Sequence, residues 1–187
     1  METITIQNLT IEQIEAGLPT VRQSPQDHGV LKAIVIRPAV NERASLEQAE
    51  LSPEGGVHGD AWANGCWKSL PDGRPHPDVQ IALTNARFMD LIAQDESRWS
   101  LSGDNLHVDF DLSDENLRPG QRLAIGATIL EITAVAHNGC KKYAQRFGKD
   151  AVRFVSTPYG KALRLRGIYA KIIQAGVVTV GDVISKI

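Results

Sequence analysis

The residue with the clearest chemical potential is Cys140, in the stretch AVAHNGCKKYAQRFGKD. The apolar run before it is typical of a strand, and the four-residue spacing of Tyr143 and Phe147 predicts a helix that begins near the cysteine. The positive end of a helix favours a thiolate over a thiol, and Lys141 and Lys142 add positive charge. We therefore expect a thiolate that can act as a nucleophile or bind a soft metal.

The residues just before this cysteine strengthen the prediction. Asn138-Gly139 favours a tight turn, and free backbone N–H groups at such a turn can bind a phosphate or another oxyanion. His137 is expected to add to the positive field. The alternative is that Cys140 is a small buried hydrophobic residue, which is the ordinary role of a lone cysteine. For Cys66, which lies between two tryptophans without a lysine pair, packing is the preferred interpretation.

Charged residues are distributed unevenly along the chain. Positions 137–171 contain nine lysines and arginines and one acid, Asp150, whereas positions 86–116 contain eight acids and two arginines. Charge runs of this kind are common on solvated faces. The alternative, which the thiol inside the basic segment favours, is that this segment binds an anionic ligand.

Several other chemistries leave signatures that this sequence lacks. The five histidines, at positions 28, 58, 76, 107 and 137, include no pair three or four residues apart, and neither HExxH nor CxxC occurs. A zinc site built from neighbouring residues is therefore not expected. The motifs GxSxG, GxGxxG and the P-loop are also missing. The net charge of -2 argues against nucleic acid as a partner.

The N-terminal part of the chain predicts one short helix. Thr10 and Gln13 have the spacing of a capping box, and Gly17 is expected to end the helix. The residues after it read as an extended, turn-rich connector. We expect residues 1–29 to be a helix and connector that pack on a barrel domain formed by residues 30–187.

The rest of the chain is mainly β in character. Runs of β-branched and alternating apolar residues predict six or seven strands, and the stretch DNLHVDFDL is the clearest of them. We expect the last two strands to form a hairpin around Ala175-Gly176. A closed or nearly closed β-barrel with a few short peripheral helices explains this pattern best, and a sandwich is the second choice.

The composition is that of an ordinary globular domain. Hydrophobic residues are 42% of the 187 positions and charged residues 22%. Two cysteines cannot form a disulfide framework, so we expect a reducing compartment. The N-terminus lacks the pattern of a signal peptide, and no apolar run is long enough for a membrane helix. We therefore expect a cytoplasmic protein without a membrane partner.

Four stretches in order resemble the MOSC domain, the module named after the C-terminal part of molybdenum cofactor sulfurases. They are IVIRPAVNERASLEQAELSPEGGVHGDAW, SGDNLHVDFDL, LRPGQRLAIGATILEITAVAHNGCKKYAQRFG and STPYGKALRLRGIYAKIIQAGVVTVGD. The leader GLPTVRQSPQDHGVLKAIVIRP is similar to that of small bacterial stand-alone MOSC proteins. The resemblance runs from about residue 30 to the C-terminus and includes the expected cysteine, Cys140.

This resemblance implies a β-barrel and a role around the molybdenum cofactor, an anionic pterin dithiolene that carries a phosphate. In the family, the cysteine that matches Cys140 is proposed either to carry sulfur as a persulfide or to ligate molybdenum, and both roles need a thiolate. Full-length sulfurases have an upstream pyridoxal-phosphate desulfurase domain, for which this chain leaves no room. We therefore expect no pyridoxal phosphate here, and a sulfur-carrying role would need a separate cysteine desulfurase.

The family's Gly-Asp motif adds further candidates for cofactor binding. His58 and Asp60 match this motif, but Ala61-Trp62 replaces the Arg-His pair that often follows. Asn105 begins the alternating strand, and Asp104 fills the preceding place, near which relatives have an arginine. The alternative for the first pair is a purely structural tight turn.

Arginines supply the remaining candidates. Arg164 and Arg166 would face the same way in an extended stretch, and guanidinium pairs suit phosphate; surface salt bridges are the alternative. Arg37 lies at a strand end and is expected to point towards the same mouth. With Cys140 as the catalytic residue and molybdenum ligand, the cofactor-binding candidates are Arg37, His58, Asp60, Asn105, His137, Lys141, Lys142, Arg164 and Arg166.

Three functions remain open from the sequence. The first is a module that binds the molybdenum cofactor and uses Cys140 as metal ligand or sulfur carrier. The second is a molybdenum-dependent reductase of N-hydroxylated bases or amines, which would need a separate electron-transfer reductase. The third is a barrel with a basic patch and a packing cysteine. The substrate and the oligomeric state stay open.

Overall fold

The computed structural model describes residues 6–187, and these contain five α-helices and eleven strands. The helices are α1 (Ile11–Arg22), α2 (Ala86–Ala93), α3 (Lys141–Phe147), α4 (Lys149–Val155) and α5 (Pro158–Ala162), with short 3-10 helices at Ala61–Asn64, Pro77–Val79 and Glu96–Ser102. The strands are β1 (Gly29–Ile36), β2 (Ala44–Leu46), β3 (Gln48–Ser52), β4 (Gly56–Val57), β5 (Ile81–Asn85), β6 (Leu106–Asp109), β7 (Arg122–Ile125), β8 (Thr128–Ile132), β9 (Ile168–Gln174), β10 (Gly176–Thr179) and β11 (Val183–Lys186). None of the helices in this described part is long and apolar enough to cross a membrane.

Seven strands close into a barrel. Their order around the ring is β1, β11, β7, β8, β9, β5 and β6, which pairs again with β1. Only the β5–β6 pair is parallel among these described strands, and the other neighbours are antiparallel. Outside the ring, β2 pairs with β1, and β10, β3 and β4 form a small second sheet. The prediction of a mainly β protein with a closed barrel is confirmed.

Two apolar clusters hold the molecule together. The first fills the barrel, where Leu106, Val108 and Phe110 alternate with polar residues as the sequence predicts and are all buried. The second joins the helices and includes Ile14 of α1 and Phe88 of α2. Burial of such side chains stabilises a fold by about 1.5–3 kcal/mol each. The helices therefore pack together around this second apolar cluster, which is separate from the cluster inside the barrel.

Helix α1 begins as predicted but ends later. The side chains and backbone N–H groups of Thr10 and Gln13 form the reciprocal capping box. Gly17 does not end the helix, which continues to Arg22. A Cβ at Gly17 would collide with the side chain of Leu91, so this glycine allows α1 to pack closely against α2. The predicted stop at Gly17 was wrong because the small residue serves packing, not termination.

The last strands also differ from the prediction. β9 lies between β5 and β8 in the barrel, whereas β10 leaves the barrel and pairs with β3. A Cβ on Gly176 would lie 2.6 Å from the backbone of Ala127, so the crossing needs a residue without a side chain. The predicted hairpin around Ala175-Gly176 was therefore wrong, because the chain changes sheets at this point.

Candidate functional site

Cys140 lies at the junction between a loop and a helix. It is the N-cap of α3, its backbone is extended (φ -129°, ψ 171°), and its carbonyl accepts a hydrogen bond from Ala144 at 3.1 Å. Gly148 ends the helix, as predicted. The cysteine is exposed, and within the described chain its sulfur caps no helical N–H group. An exposed thiol excludes the alternative of a packing residue.

The thiol opens into a pocket of about 420 Å³, which is in the usual size range of small-molecule sites. The lining comes from six separate parts of the chain: the loop after β1, the loop at Trp67, Ala82 of β5, the turn before β6, the segment 136–146, and the turn before β9 with the start of that strand. The barrel and the helices together therefore build this site. Its charged lining residues are Arg37, Arg43, Lys142, Arg146, Arg166 and Asp104.

Positive charge dominates this lining, with five cations against one carboxylate. Among residues 6–187, Arg43 and Arg146 form no ion pair with an acid. The pKa of Arg43 is lowered, first by burial and then by the positive charges of Arg146 and Arg37. Neighbouring like charges repel one another, and partial burial weakens the screening of this repulsion by water. The pocket is therefore suited to an anionic ligand.

Asp104 is the carboxylate in the lining, and it is only 1% exposed. Both of its oxygens accept from Nη1 of Arg166 at 2.9 Å. Burial alone would raise the pKa of Asp104, but the charge of Arg166 holds it below its ordinary value. The guanidinium of Arg166 also lies over the ring of Tyr143, at 4.6 Å from its centroid. Asp104 therefore fixes Arg166 at the base of the site.

His137 is neutral in this environment. Burial, followed by the charge of Arg166, lowers its pKa to about 3, although Asp104 acts in the opposite direction. The 3.6 Å approach of its Nε2 to Asp104 is therefore not an ion pair at neutral pH. Its Nδ1 has no hydrogen-bond partner in the part of the chain that the structure describes. The positive field predicted for this histidine is thus absent.

Aromatic rings form a row in the same pocket. The ring centroids of His137 and Tyr169 are 4.3 Å apart, and those of Tyr169 and Trp67 are 6.3 Å apart. Burial raises the pKa of Tyr169, so the phenol stays protonated at neutral pH. Trp67 ends the row at the rim. The pocket thus combines an uncharged aromatic surface with an excess of positive charge.

Two predicted site residues, Asp60 and Asn105, lie outside the pocket lining and hold one of its arginines in place. Nε and Nη2 of Arg37 donate to the two carboxylate oxygens of Asp60 at 3.0 and 2.8 Å. Asp60, which is buried, also accepts from the side chain of Asn105 at 3.2 Å. Burial opposes the ionisation of Asp60, yet Arg37 keeps its pKa below the ordinary value. Asp60 and Asn105 therefore position Arg37 and do not line the pocket.

Three other candidates lie elsewhere. His58 lines a different cavity of about 640 Å³ near β3 and β10. Lys141 is exposed and is not part of the lining. Arg164 forms an ion pair with Asp114 at 2.6 Å and donates to the carbonyl of Leu117 at 2.7 Å. Its backbone is left-handed (φ 49°), so the stretch predicted to be extended is a turn and its two arginines have different partners.

Among the basic and aromatic residues of the lining, the sequence interpretation missed four: Arg43, Trp67, Arg146 and Tyr169. Arg43 lies in the first family-like stretch and Arg146 in the basic segment, so charge was an available signal for both. For the two aromatic residues there was no comparable signal, because a ring at a pocket and a ring in a core look alike in a sequence. Cys66 is half-buried and its sulfur donates to the carbonyl of Lys68 at 2.8 Å, which is a local structural contact.

Comparison with known proteins decides the family. The model of the MOSC domain matches residues 77–185, which is more than half of the chain and includes Cys140. This chain belongs to the MOSC domain family. A search of curated proteins finds no match to its sequence.

Solved structures share the fold of this MOSC domain. The YuaD protein from Bacillus subtilis is 17% identical with a TM-score of 0.58, and the match covers 84% of this chain and 94% of that one. YiiM from Escherichia coli is 15% identical with a TM-score of 0.54, over 84% and 69% of the two chains. YiiM from Geobacillus stearothermophilus is 12% identical with a TM-score of 0.53, over 88% and 74%. At these identities the likeness shows the fold alone.

Proposed function

We propose that this MOSC domain protein binds the molybdenum cofactor in the Cys140 pocket, with Cys140 as ligand of the metal or carrier of its sulfur. The observation that carries the proposal is an exposed thiol in a pocket lined by five cations and one carboxylate. The cofactor is an anionic pterin dithiolene with a phosphate, so its charge matches the lining.

The ligands that the chain offers fit this cofactor. Among residues 6–187, no group of three or more histidines, cysteines and acids could hold a metal ion. Cys140 is therefore the residue that would hold a metal here, and the dithiolene of the cofactor would supply further sulfur ligands. Thiolates are ligands of soft metals, and Cys140 is the thiol that opens into the pocket.

Buried polar atoms around the pocket also support a bound polar ligand. Nε of Arg43, Nε of Arg166 and Nδ1 of His137 have no hydrogen-bond partner within the described chain. An unsatisfied buried donor costs about 1–3 kcal/mol, and a ligand or ordered water normally satisfies it. Three such atoms beside one pocket favour a site that a polar molecule completes.

The residues of the chain have distinct roles in this proposal. When bound, the cofactor supplies two-electron redox chemistry or the site that receives sulfur. Arg37, held by Asp60, and the cations of α3 neutralise its anionic groups. Neutral His137 can donate or accept one hydrogen bond at the pocket wall without adding charge. Cys140 presents its sulfur from the exposed N-terminus of α3.

The test is metal and pterin analysis of protein purified from a molybdate-supplied host. We predict stoichiometric molybdenum and pterin in the wild type and loss of molybdenum in Cys140→Ser, because a hydroxyl is a poor ligand for a soft metal. The matched control is Cys66→Ser, which changes the half-buried thiol and should keep both components. A wild-type protein that contains neither component contradicts cofactor binding.

Two further measurements separate the roles of Cys140. A mass increase of one sulfur atom on Cys140 after incubation with a cysteine desulfurase and free cysteine, which supplies the sulfur, supports the sulfur carrier. The reductase role is favoured by the exposure of Cys140, since a small substrate can reach this position from solvent. Reduction of an N-hydroxylated amine by the loaded wild type with a chemical reductant, but not by Cys140→Ser, supports that role.

A further inference from the structure

The rim of the Cys140 pocket contains groups that a metal ligand alone does not need. We propose that Trp67 and the pair Arg43 and Arg146 recognise a planar heteroaromatic ring that carries an anionic group, with the ring on Trp67 and the anion on the arginines. This inference deepens the proposed function, because it concerns the ligand of the same pocket. Its chemistry does not depend on a bound metal.

Trp67 is the first observation. Its side chain is 68% exposed, whereas Trp62 and Trp99 are each 6% exposed. An aromatic side chain in water lacks the stabilisation that burial would give it. An exposed ring that lines a pocket therefore indicates a binding surface more often than a single exposed ring elsewhere on the protein does. Tyr169 and His137 continue the row inward with uncharged rings. Such a neutral surface suits stacking with a planar heterocycle.

The loop that carries Trp67 is held by its own hydrogen bonds. The backbone N–H of Leu70 donates to Arg74 at 2.8 Å, and that of His76 donates to Lys68 at 3.0 Å. These bonds close a small hairpin immediately after the tryptophan. The indole is therefore presented at the rim by an ordered loop, and little conformational entropy is lost when a ring stacks on it.

The arginine pair is the second observation. Nη1 of Arg146 donates to the carbonyl of Leu101 at 2.6 Å, which fixes this guanidinium against the end of the 3-10 helix Glu96–Ser102. The guanidinium of Arg43 lies beside Gly103, which directly follows this helix, because a Cβ built on this glycine would be in van der Waals contact with Nη2 of Arg43, at 3.4 Å. Neither arginine has a carboxylate partner in the described chain. Paired guanidiniums without a carboxylate suit a phosphate or a carboxylate of a ligand.

Both groups line one pocket of about 420 Å³, so a single small molecule can reach them together. Two kinds of molecule have the required chemistry. One is the phosphorylated pterin of the cofactor, and the other is a free substrate of the nucleotide type. Both molecules contain the ring and the anionic group. A bound cofactor would block the site if the pterin is the ligand, and would leave it free if the ligand is a substrate.

The experiment uses cofactor-free full-length protein, purified from a host that cannot make the molybdenum cofactor. Its probes are guanosine 5′-monophosphate, guanosine and ribose 5-phosphate, and binding is measured by tryptophan fluorescence and calorimetry. Trp67 is the exposed reporter, since the other two tryptophans are buried. We predict that the nucleotide binds about tenfold more tightly than either fragment, because only it engages both groups.

Two variants separate the contributions of ring and anion. Trp67→Leu should weaken the nucleotide and guanosine about tenfold and leave ribose 5-phosphate unchanged. Arg43→Gln should remove the preference for the nucleotide over guanosine and leave guanosine binding unchanged. The matched controls are Tyr159→Leu and Arg118→Gln, an exposed aromatic and an exposed arginine outside this pocket, and both should bind like the wild type.

The outcomes distinguish the inference from the proposed function. No detectable nucleotide binding by cofactor-free wild type, or equal losses for all three probes in both variants, overturns the inference. Binding that persists in cofactor-loaded protein assigns the site to a substrate, and binding that disappears assigns it to the cofactor; both results support the recognition chemistry. Nucleotide binding by a protein that never acquires molybdenum or pterin keeps the inference and contradicts the proposed function.

Discussion

The histidine beside Cys140 makes folding depend on pH. Burial and the charge of Arg166 lower the pKa of His137 to about 3 in the folded chain, against about 6.5 for an exposed histidine. Between these values the unfolded chain binds a proton that the folded chain does not. The free energy of unfolding therefore falls as the pH falls below about 6.5. His107 is also buried with a lowered pKa, so it acts in the same direction.

We predict that His137→Gln flattens this dependence. Each such histidine contributes a slope of up to about 1.4 kcal/mol per pH unit on the acid side of its ordinary pKa. Urea denaturation at a series of pH values from about 7 to 5 measures the slope. The control is His28→Gln, which replaces an exposed histidine outside the pocket. Equal slopes in the wild type and His137→Gln would contradict the buried neutral histidine.

Single residues were predictable where their chemistry shows in the sequence. Arg37 was predicted from its place at a strand end and Lys142 and Arg166 from their charge, and the structure brings all three into the Cys140 pocket. The partner of Arg166 was not predictable, because Asp104 is 62 residues away and only the fold brings the two together. Likewise, nothing in the sequence distinguishes the exposed ring of Trp67 from a buried one.

At the scale of elements, the turn before β9 holds the base of the pocket. Gly167 has φ 104°, and a Cβ there would collide with the carbonyl oxygen of Leu83 and lie 3.2 Å from Nδ1 of His137. The glycine therefore lets the chain pass close to β5 directly after Arg166. Any side chain at this position must displace backbone, since a strand carbonyl cannot move aside as a flexible side chain does.

We predict that Gly167→Ala lowers the free energy of unfolding by roughly 3 kcal/mol or more, the sum of a left-handed backbone penalty and a steric clash. Gly73→Ala is the matched control, because Gly73 also has a positive φ of 87° but nothing lies within 4 Å of its added Cβ. It should cost only about 1–2 kcal/mol. Chemical denaturation measures both, and equal costs would show that the approach to Leu83 is not tight.

Elements were predicted well where a local signal has one meaning. The capping box correctly marked the start of α1. A glycine can serve several structural purposes, and two predictions that rested on glycines were wrong for this reason. Gly17 permits close helix packing, and Gly176 permits a change of sheet, although in sequence they look like a helix stop and a hairpin turn. Which use applies depends on neighbours that are distant along the chain.

At the scale of the whole molecule, the two charged segments partly neutralise each other. Arg164 and Arg166 of the basic segment pair with Asp114 and Asp104 of the acidic segment. Arg146 and Lys142, which have no acidic partner in the described chain, line the pocket. The sequence allowed solvated faces or an anion site, and the fold adds this third arrangement. It could not be predicted, because it depends on which segments the barrel brings together.

The order of the strands could not be predicted from the sequence either, because closure of the barrel pairs its first strand with its last. β11 pairs with β1 on one side and with β7 on the other. Ile184 in β11 lies opposite both Gly29 and Ile125 and is fully buried, whereas its neighbour Val183 is 54% exposed. Of these two adjacent residues in the last strand, one thus faces the inside of the barrel and the other faces the outside.

We predict that Ile184→Ala lowers the free energy of unfolding by about 2–5 kcal/mol, because it leaves a cavity inside the barrel. Val183→Ala, its exposed neighbour, should change this free energy by less than about 0.5 kcal/mol. Because β11 completes the ring, the loss should appear in a single cooperative transition followed by both circular dichroism and fluorescence. A separate early transition in Ile184→Ala would show that the C-terminal strand opens independently and that the barrel does not unfold as one unit.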